Sequence, residues 1–366
     1  MSPSYIIAAR RSAVAPRGGA LSNLLPHELA APVIADLLQH AGIERDQIDE
    51  LILSNALGAG GNPARIAALA ANLPERIAGL SIDRQCAGGL DAILLGDVMI
   101  RSGLHDVVIA GGVESYSRRP IRMHAPADGS APVPYNQAPF TPWPDRDPDM
   151  ATAADTLAQK LGISHEEQDR WAQGSHAKAR AAEDVLMQEI TPIAGLSQDS
   201  FTRDLTPRHC SRAKTVCGSI TAANMAVAAD GAAFVLMVSE RIARNHSAVE
   251  VLSGATLGAD PLQPGLAPLP AIENSLKRAS LTPQDVDTAE IMEAFAVQAI
   301  ACLRGAGFAE DQINRHGGAL ARGHPVGASG AILAVHLYHQ LQHTKRNGLA
   351  AIAAAGGIGS ALVLQG

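Results

Sequence analysis

The stretch Leu80-Ser81-Ile82-Asp83-Arg84-Gln85-Cys86-Ala87-Gly88-Gly89-Leu90-Asp91-Ala92-Ile93-Leu94-Leu95 passes from a strand-like run to a helix-like run, with one cysteine on the turn between them. A thiol in that place meets the positive end of a helix dipole and free backbone N–H groups, which favour thiolate over thiol and can hold an oxyanion. Far downstream, Gly317-Gly318-Ala319-Leu320-Ala321-Arg322-Gly323-His324-Pro325-Val326-Gly327-Ala328-Ser329-Gly330 is a glycine-rich loop that carries one imidazole. Cys86 and His324 together point to acyl transfer by a Cys/His pair. A lone cysteine before a glycine-rich helix is more often a small buried hydrophobe, and a lone His before Pro more often a loop residue. The long glycine-punctuated context of each tips the reading towards chemistry.

Outward from Cys86, strand and helix signals alternate. Residues 5–9 read as a strand, 26–41 as a helix closed by Gly42, 50–54 as a strand and 63–71 as a helix. The helix after Cys86 runs to Ile100, and a strand at 106–110 then enters Gly111-Gly112. Such alternation predicts a mostly parallel sheet covered by helices. The last third repeats the theme: a strand at 288–292, a helix from Phe295, the His324 loop, a helix over 331–343, and a strand at 349–355 entering Gly356-Gly357. Ala-Gly-Gly strand ends at matching places in the two halves imply an internal duplication. Between the halves, residues 120–148 form a Pro-rich loop and 149–189 look helical, with Ser164-His165-Glu166-Glu167 as a helix start. The polar stretch 202–214, with Arg203, Arg208, His209, Arg212 and Lys214, is either a solvated surface loop or a seat for a phosphorylated cofactor.

A chain of 366 residues is long enough for two domains or one large duplicated core. It is 47% hydrophobic but only 3% aromatic, so the core must be built from Ala, Val, Ile and Leu, which suits close helix-on-sheet layers. A net charge of −7 and the lack of a basic tail argue against a nucleic-acid partner. Four cysteines without paired spacing, and no Cys/His cluster at zinc-ligand spacing, predict free thiols in a reducing compartment and no bound metal. No apolar run reaches membrane-spanning length and the first ten residues are too weakly flanked for a signal peptide, so the expectation is a soluble, cytoplasmic chain with no membrane partner.

The segments Ala9-Arg10-Arg11-Ser12, Asn62-Pro63-Ala64-Arg65, Asp83-Arg84-Gln85-Cys86-Ala87-Gly88-Gly89-Leu90, Ala110-Gly111-Gly112-Val113-Glu114-Ser115, Glu293-Ala294-Phe295-Ala296 and the His324 loop follow one another across nearly the whole chain. In this order the sequence resembles the thiolase family. The resemblance implies an α/β thiolase fold: duplicated βαβαβαββ halves in a five-layer αβαβα arrangement with an inserted loop domain. The N-terminal half would take residues 1–118 and 228–253, the loop domain 119–227, and the C-terminal half 254–366. The resemblance further implies a homodimer or homotetramer. Cys86 would hold an acyl group taken from an acyl-CoA or acyl-carrier thioester, with coenzyme A as part of the substrate and not as a tightly bound cofactor. His324 would activate the thiol, and the backbone N–H groups of Cys86 and Ala355 would hold the oxyanion. Substrate contacts would fall on Met150, Arg208, Ala223, Ala226 and Phe295.

The chain departs from the family pattern at several of its working positions. The second cysteine, which moves the proton on the carbon that becomes the nucleophile, is Ala353; the asparagine of Asn-Glu-Ala-Phe is Met292. A methyl group cannot transfer a proton and a thioether cannot donate a hydrogen bond. The serine two places after the nucleophile is Gly88, and the Asn-Ala-Ser-Gly segment reads Asn224-Met225-Ala226-Val227. Loss of one positioned acid/base group costs on the order of 100- to 10,000-fold in rate. Acyl loading is therefore expected to survive while ordinary thiolysis is impaired. His316, where the family more often has Asn, is a candidate substitute acid/base. Cys302 reads as packing, and Cys210 and Cys217 fall in or beside the polar stretch. Three functions compete: a thiolase-like acyltransferase, a carbon–carbon enzyme whose substrate already carries an acidic carbon, and a catalytically reduced scaffold subunit that pairs with an active homologue.

Overall fold

The computed structural model of the chain describes residues 2–58 and 60–366. The first half contributes β1 (Ser4–Ser12), α1 (Pro26–Ala41), β2 (Glu50–Ser54), α2 (Pro63–Ala70), β3 (Leu80–Ile82), α3 (Gly88–Arg101) and β4 (Val107–Ser115). After a middle segment with α4 (Met150–Leu161) and α5 (His165–Ala181) comes β5 (Ala229–Ser239). The second half contributes β6 (Val249–Gly258), α6 (Pro268–Ala279), β7 (Val286–Ile291), α7 (Ala296–Ala306), α8 (Val326–Leu341), β8 (Asn347–Ala354) and β9 (Ile358–Gln365).

The duplication expected from the Ala-Gly-Gly repeats is written in the strand order. The first half runs β3-β2-β4-β5-β1 and the second runs Ile313-β7-β8-β9-β6, where Ile313 makes a lone parallel bridge to Ala289 in place of a third strand. In both halves the fourth strand of the row is the antiparallel one: β5 against β4 and β1, β9 against β8 and β6. The two sheets meet edge to edge where Tyr5 and Ile6 pair with Glu250 and Val249. Helices α1 and α2 cover one outer face, α6 and α7 the other, and α3 and α8 lie between the sheets, giving helix, sheet, helix, sheet, helix.

Small residues make the middle layer possible. A Cβ at Gly89 would lie 2.5 Å from the Ala331 nitrogen and one at Gly330 would lie 2.6 Å from the Leu90 nitrogen, so α3 and α8 cross backbone against backbone. A Cβ at Gly112 of β4 would lie 2.0 Å from the Gly327 carbonyl oxygen at the start of α8. Neither backbone can yield cheaply in a close-packed core. Gly112→Ala is expected to lower stability by about 1–3 kcal/mol, read as an earlier urea midpoint; an unchanged midpoint would show that this contact has slack.

These glycines explain where the sequence reading of the second half fell short. Helix α8 begins at Val326, not 331, because Gly327 and Gly330, which look like loop residues, serve helix packing. The helical region expected over 149–189 is three helices, and the expected start at Ser164 holds: its side chain accepts from the Glu167 N–H. Strand β6 crosses the 253/254 domain boundary expected from sequence; we propose that the halves divide before Val249, since β6 holds the place in its sheet that β1 holds in the other.

The arginines of the Ala9-Arg10-Arg11-Ser12 segment fasten the middle segment to β1. Arg11, fully buried, bonds Glu189 and Asp199 at 2.7 Å each, and Arg10 bonds Asp36 at 2.7 Å and the Ile190 carbonyl at 3.0 Å. Removing one partner of such a buried pair leaves an uncompensated charge, so these side chains are structural. Among the described residues no helix is long and apolar enough to cross a membrane.

Candidate active site

The chain reaches Cys86 through a backbone that few side chains adopt. Gln85 stands at φ 52°, in the left-handed region, with its N–H held by Asp83 Oδ1 at 2.8 Å. A short 3-10 turn, Gln85–Ala87, then leads into α3. Left-handed backbone at a residue other than glycine, Asn or Asp is uncommon and is retained where the surroundings enforce it. Here Arg84 pins the elbow by a 3.0 Å ion pair to Asp91 in the first turn of α3. Asp91 also accepts from the hydroxyls of Thr256 and Ser360 on the second sheet.

His324 arrives from the other half. Its backbone N–H donates to the Val227 carbonyl at 2.8 Å, and Gly323 before it has φ 114°, a conformation that suits glycine. The imidazole Nε2 lies 3.1 Å from Cys86 Sγ, and Nδ1 lies 2.6 Å from Ser329 Oγ. The Ser329 hydroxyl in turn donates to the Pro325 carbonyl at 3.2 Å. A hydroxyl has one proton to give. With that proton directed at Pro325, Ser329 accepts from Nδ1–H, and Nε2 is left as the lone pair facing the thiol. The tautomer needed in a general base is thus set by hydrogen-bond bookkeeping.

Glu114, the carboxylate of the Ala-Gly-Gly-Val-Glu-Ser segment, ties the two halves together behind the pair. It accepts from the backbone N–H groups of Ala56 and Gly327 at 3.1 Å each and from Asn55 Nδ2 at 2.9 Å. Burial lifts its carboxyl to about 7 despite these donors. Glu293 does similar work for the glycine loop, accepting from Trp171, Ser175, Asn314 and the Leu320 N–H.

The electrostatics correct one expectation. Burial pushes the Cys86 thiol up to about 12, with the Glu114 and Asp83 carboxylates adding to the rise, and burial pushes His324 down to about 4. Both shifts favour neutral thiol and neutral imidazole over a standing thiolate. A proton then moves only as the sulfur attacks. Iodoacetamide modification of the Cys86 peptide, followed by mass spectrometry, is expected to rise about tenfold per pH unit between about pH 6 and pH 9. A plateau across that range would reveal a thiolate–imidazolium pair instead.

Cys86 and His324 open on a cavity of about 560 Å³. Of the positions expected to contact substrate, Met150, Ala226 and Phe295 line it, as do Ala353 and Ala355. Residues 224–228 are held there by backbone pairing: the Ala226 N–H donates to Ala294, and Met225 and Ala228 bridge Phe295 and His324. The Ala355 N–H has no partner among the described residues. Arg208 and Ala223 do not line the cavity: Arg208 is exposed on the short helix Pro207–Ser211, and Ala223 is buried beside Leu320. The polar stretch 202–214 likewise stays outside the cavity lining.

His316 is not brought to the cavity either. It is half-buried near Glu189, Arg315 and Arg322, and desolvation lowers its pKa. Met292 is 1% exposed in the apolar layer between the sheets and is absent from the cavity lining. Cys302 is fully buried with its thiol donating to the Gly265 carbonyl; Cys210 is buried and Cys217 half-buried. Ser329, the strained Gln85 and the Arg84–Asp91 pair escaped the sequence reading. Only Ser329 carried a usable signal, since a hydroxyl five residues beyond a candidate base, inside one glycine-rich turn, can reach its ring.

The "Thiolase, N-terminal domain" family model matches residues 4–241 and the "Thiolase, C-terminal domain" model residues 245–366. The chain is 38% identical over 375 residues to the Bacillus subtilis protein named "Putative acetyl-CoA C-acetyltransferase YhfS", covering 99% of each chain. It is 37% identical over 378 residues to "Putative acetyl-CoA C-acetyltransferase VraB" of Staphylococcus aureus, covering 99% of this chain and 98% of that one. The crystal structure of the Bacillus anthracis acetyl-CoA acetyltransferase superposes with a TM-score of 0.92 at 32% identity, covering 100% of this chain and 99% of the other.

Proposed function

Because this chain belongs to the thiolase family, we propose that it takes an acyl group from a coenzyme A thioester onto Cys86 and passes it to a second nucleophile. Cys86 Sγ attacks the thioester carbonyl while His324 Nε2 takes the thiol proton. The amides of Cys86 and Ala355 hold the developing oxyanion. The carbon–sulfur bond to coenzyme A breaks, and the proton passes from His324 to the departing sulfur. One thioester replaces another, so the step is close to neutral in energy and reversible.

The observation that carries this reading is the 3.1 Å approach of Nε2 to Sγ at the wall of the cavity. Ala353 on the cavity wall supports a narrower reading of the second half-reaction. Its methyl group cannot move a proton to or from carbon. The acceptor is therefore a nucleophile that needs no such help, either a heteroatom or a carbon that is already acidic. Intact-mass spectrometry of protein quenched in acid after mixing with acetyl-CoA tests the reading. One acyl increment confined to the Cys86 peptide is expected, and no increment with any thioester would leave a non-catalytic partner subunit as the better account.

A further inference from the structure

One wall of the cavity, unused by the steps above, carries two arginines, Arg119 and Arg122, beside Tyr116 and Asn136. Arg122 donates to the Ala56 carbonyl at 3.0 Å, and the Arg119 guanidinium lies over the Tyr116 ring with its carbon 4.4 Å from the centroid. Arg84 and Arg146 each hold an aspartate, but among the described residues neither Arg119 nor Arg122 has a carboxylate partner. Among the described residues Asp83 is the one acid on the lining, and one of its oxygens already takes the Gln85 N–H. Two half-buried cations thus face a largely apolar cavity with no carboxylate bonded to either among the described residues, an arrangement that an anion entering the cavity would complete.

Their position indicates which anion. Arg122 is tethered to Ala56, whose N–H shares the Glu114 carboxylate with Gly327, three residues after His324. The arginine wall is therefore anchored at the Cys86–His324 end. Met150, Ala226 and Phe295, which the family resemblance gives to substrate contact, come from other elements, and the segment that holds Ala226 is the one the resemblance sets along the pantetheine arm. Resting on the acyl-enzyme reading, we propose that the acyl group accepted here carries a carboxylate at its far end, and that Arg119, assisted by Arg122, is its counter-ion. Dicarboxylic acyl thioesters are then the preferred donors. A guanidinium that stacks on a ring and keeps its fork free is suited to a carboxylate.

The test follows acyl loading of Cys86 by intact mass, with glutaryl-CoA and pentanoyl-CoA as donors of equal chain length. The pantetheine thioesters of both acyl groups, which lack the nucleotide phosphates, serve as the second arm. Wild type is expected to load glutaryl about tenfold or more faster than pentanoyl. Arg119→Gln should collapse that ratio with both kinds of donor, and Arg119→Lys should recover part of it. A ratio near one in wild type, or one that Arg119→Gln leaves in place, overturns the proposal. It is also overturned if Arg119→Gln slows both coenzyme A donors alike and neither pantetheine donor, since the arginines would then serve the coenzyme phosphates. Loading of pentanoyl without glutaryl sinks this inference alone, whereas loading by no thioester sinks the acyl-enzyme reading with it.

Discussion

Cys86→Ala is expected to abolish acyl loading from every thioester donor, and His324→Ala to slow it by about 100- to 10,000-fold. The two losses differ in kind. Without the sulfur there is no atom to hold the acyl group. Without the ring, the proton of a thiol pushed up to about 12 has no acceptor as the sulfur attacks. Raising the pH should rescue His324→Ala in part, because bulk hydroxide then removes the proton, and should do nothing for Cys86→Ala. Single-turnover loading measured by intact mass between about pH 6 and pH 9 separates the two. Equal loading by wild type and His324→Ala would remove the imidazole from the mechanism. Ser329→Ala is a milder version of the same fault. Nδ1 loses the acceptor that fixes the tautomer, at 2.6 Å in the structure, while Nε2 stays in place.

Ala353→Cys, alone and combined with Met292→Asn, is expected to raise cleavage of acetoacetyl-CoA by free coenzyme A by about 100-fold or more. When Cys86 attacks the keto carbon, the bond to the neighbouring carbon breaks and leaves an enolate that must be protonated. Ala353 lines the cavity but offers only a methyl group, so a thiol at that position supplies the missing proton. Met292→Asn is the weaker partner on physical grounds. Its side chain lies 1% exposed in the apolar layer between the sheets, and an amide there without a partner costs about 1–3 kcal/mol. The single Ala353→Cys variant should therefore carry most of the gain. Thiolysis in the wild type as fast as in Ala353→Cys would show that the chain has another group that moves protons on carbon.

Much of the architecture was legible because its signals are local. Helix α1 ends at Gly42, which takes the left-handed backbone typical of a helix stop. Ser164 caps α5, as its spacing to Glu167 suggests. Of the two Ala-Gly-Gly runs that hinted at duplication, 355–357 follows the end of β8 as expected, whereas 110–112 lies inside β4, which continues to Ser115; the two strands still hold matching places in the two sheets. The errors arose where a residue's role depends on what it meets. Gly327 and Gly330 look like a loop until Gly112, Gly89 and Leu90 are seen against them. His316 looks like a neighbour of His324 in the chain, yet the turn at Gly317 sends it to the Glu189 and Arg322 side. Arg119 and Arg122 lie at the start of a Pro-rich stretch with no periodicity, and nothing in that stretch tells which face of the molecule it crosses.

The sequence by itself determined the chemistry on offer: a thiol on a strand-to-helix turn, an imidazole in a glycine-rich loop, and a methyl where a second thiol would serve. Residue type and local backbone decide such things. Only the tertiary structure decided that sulfur and ring, 238 positions apart in the chain, stand 3.1 Å from one another. It also decided that burial pushes the thiol up and the imidazole down, and that two arginines share their cavity. Proton affinity and counter-charge depend on how much water the packed layers exclude and on what else they bring near, and those are properties of the assembled fold.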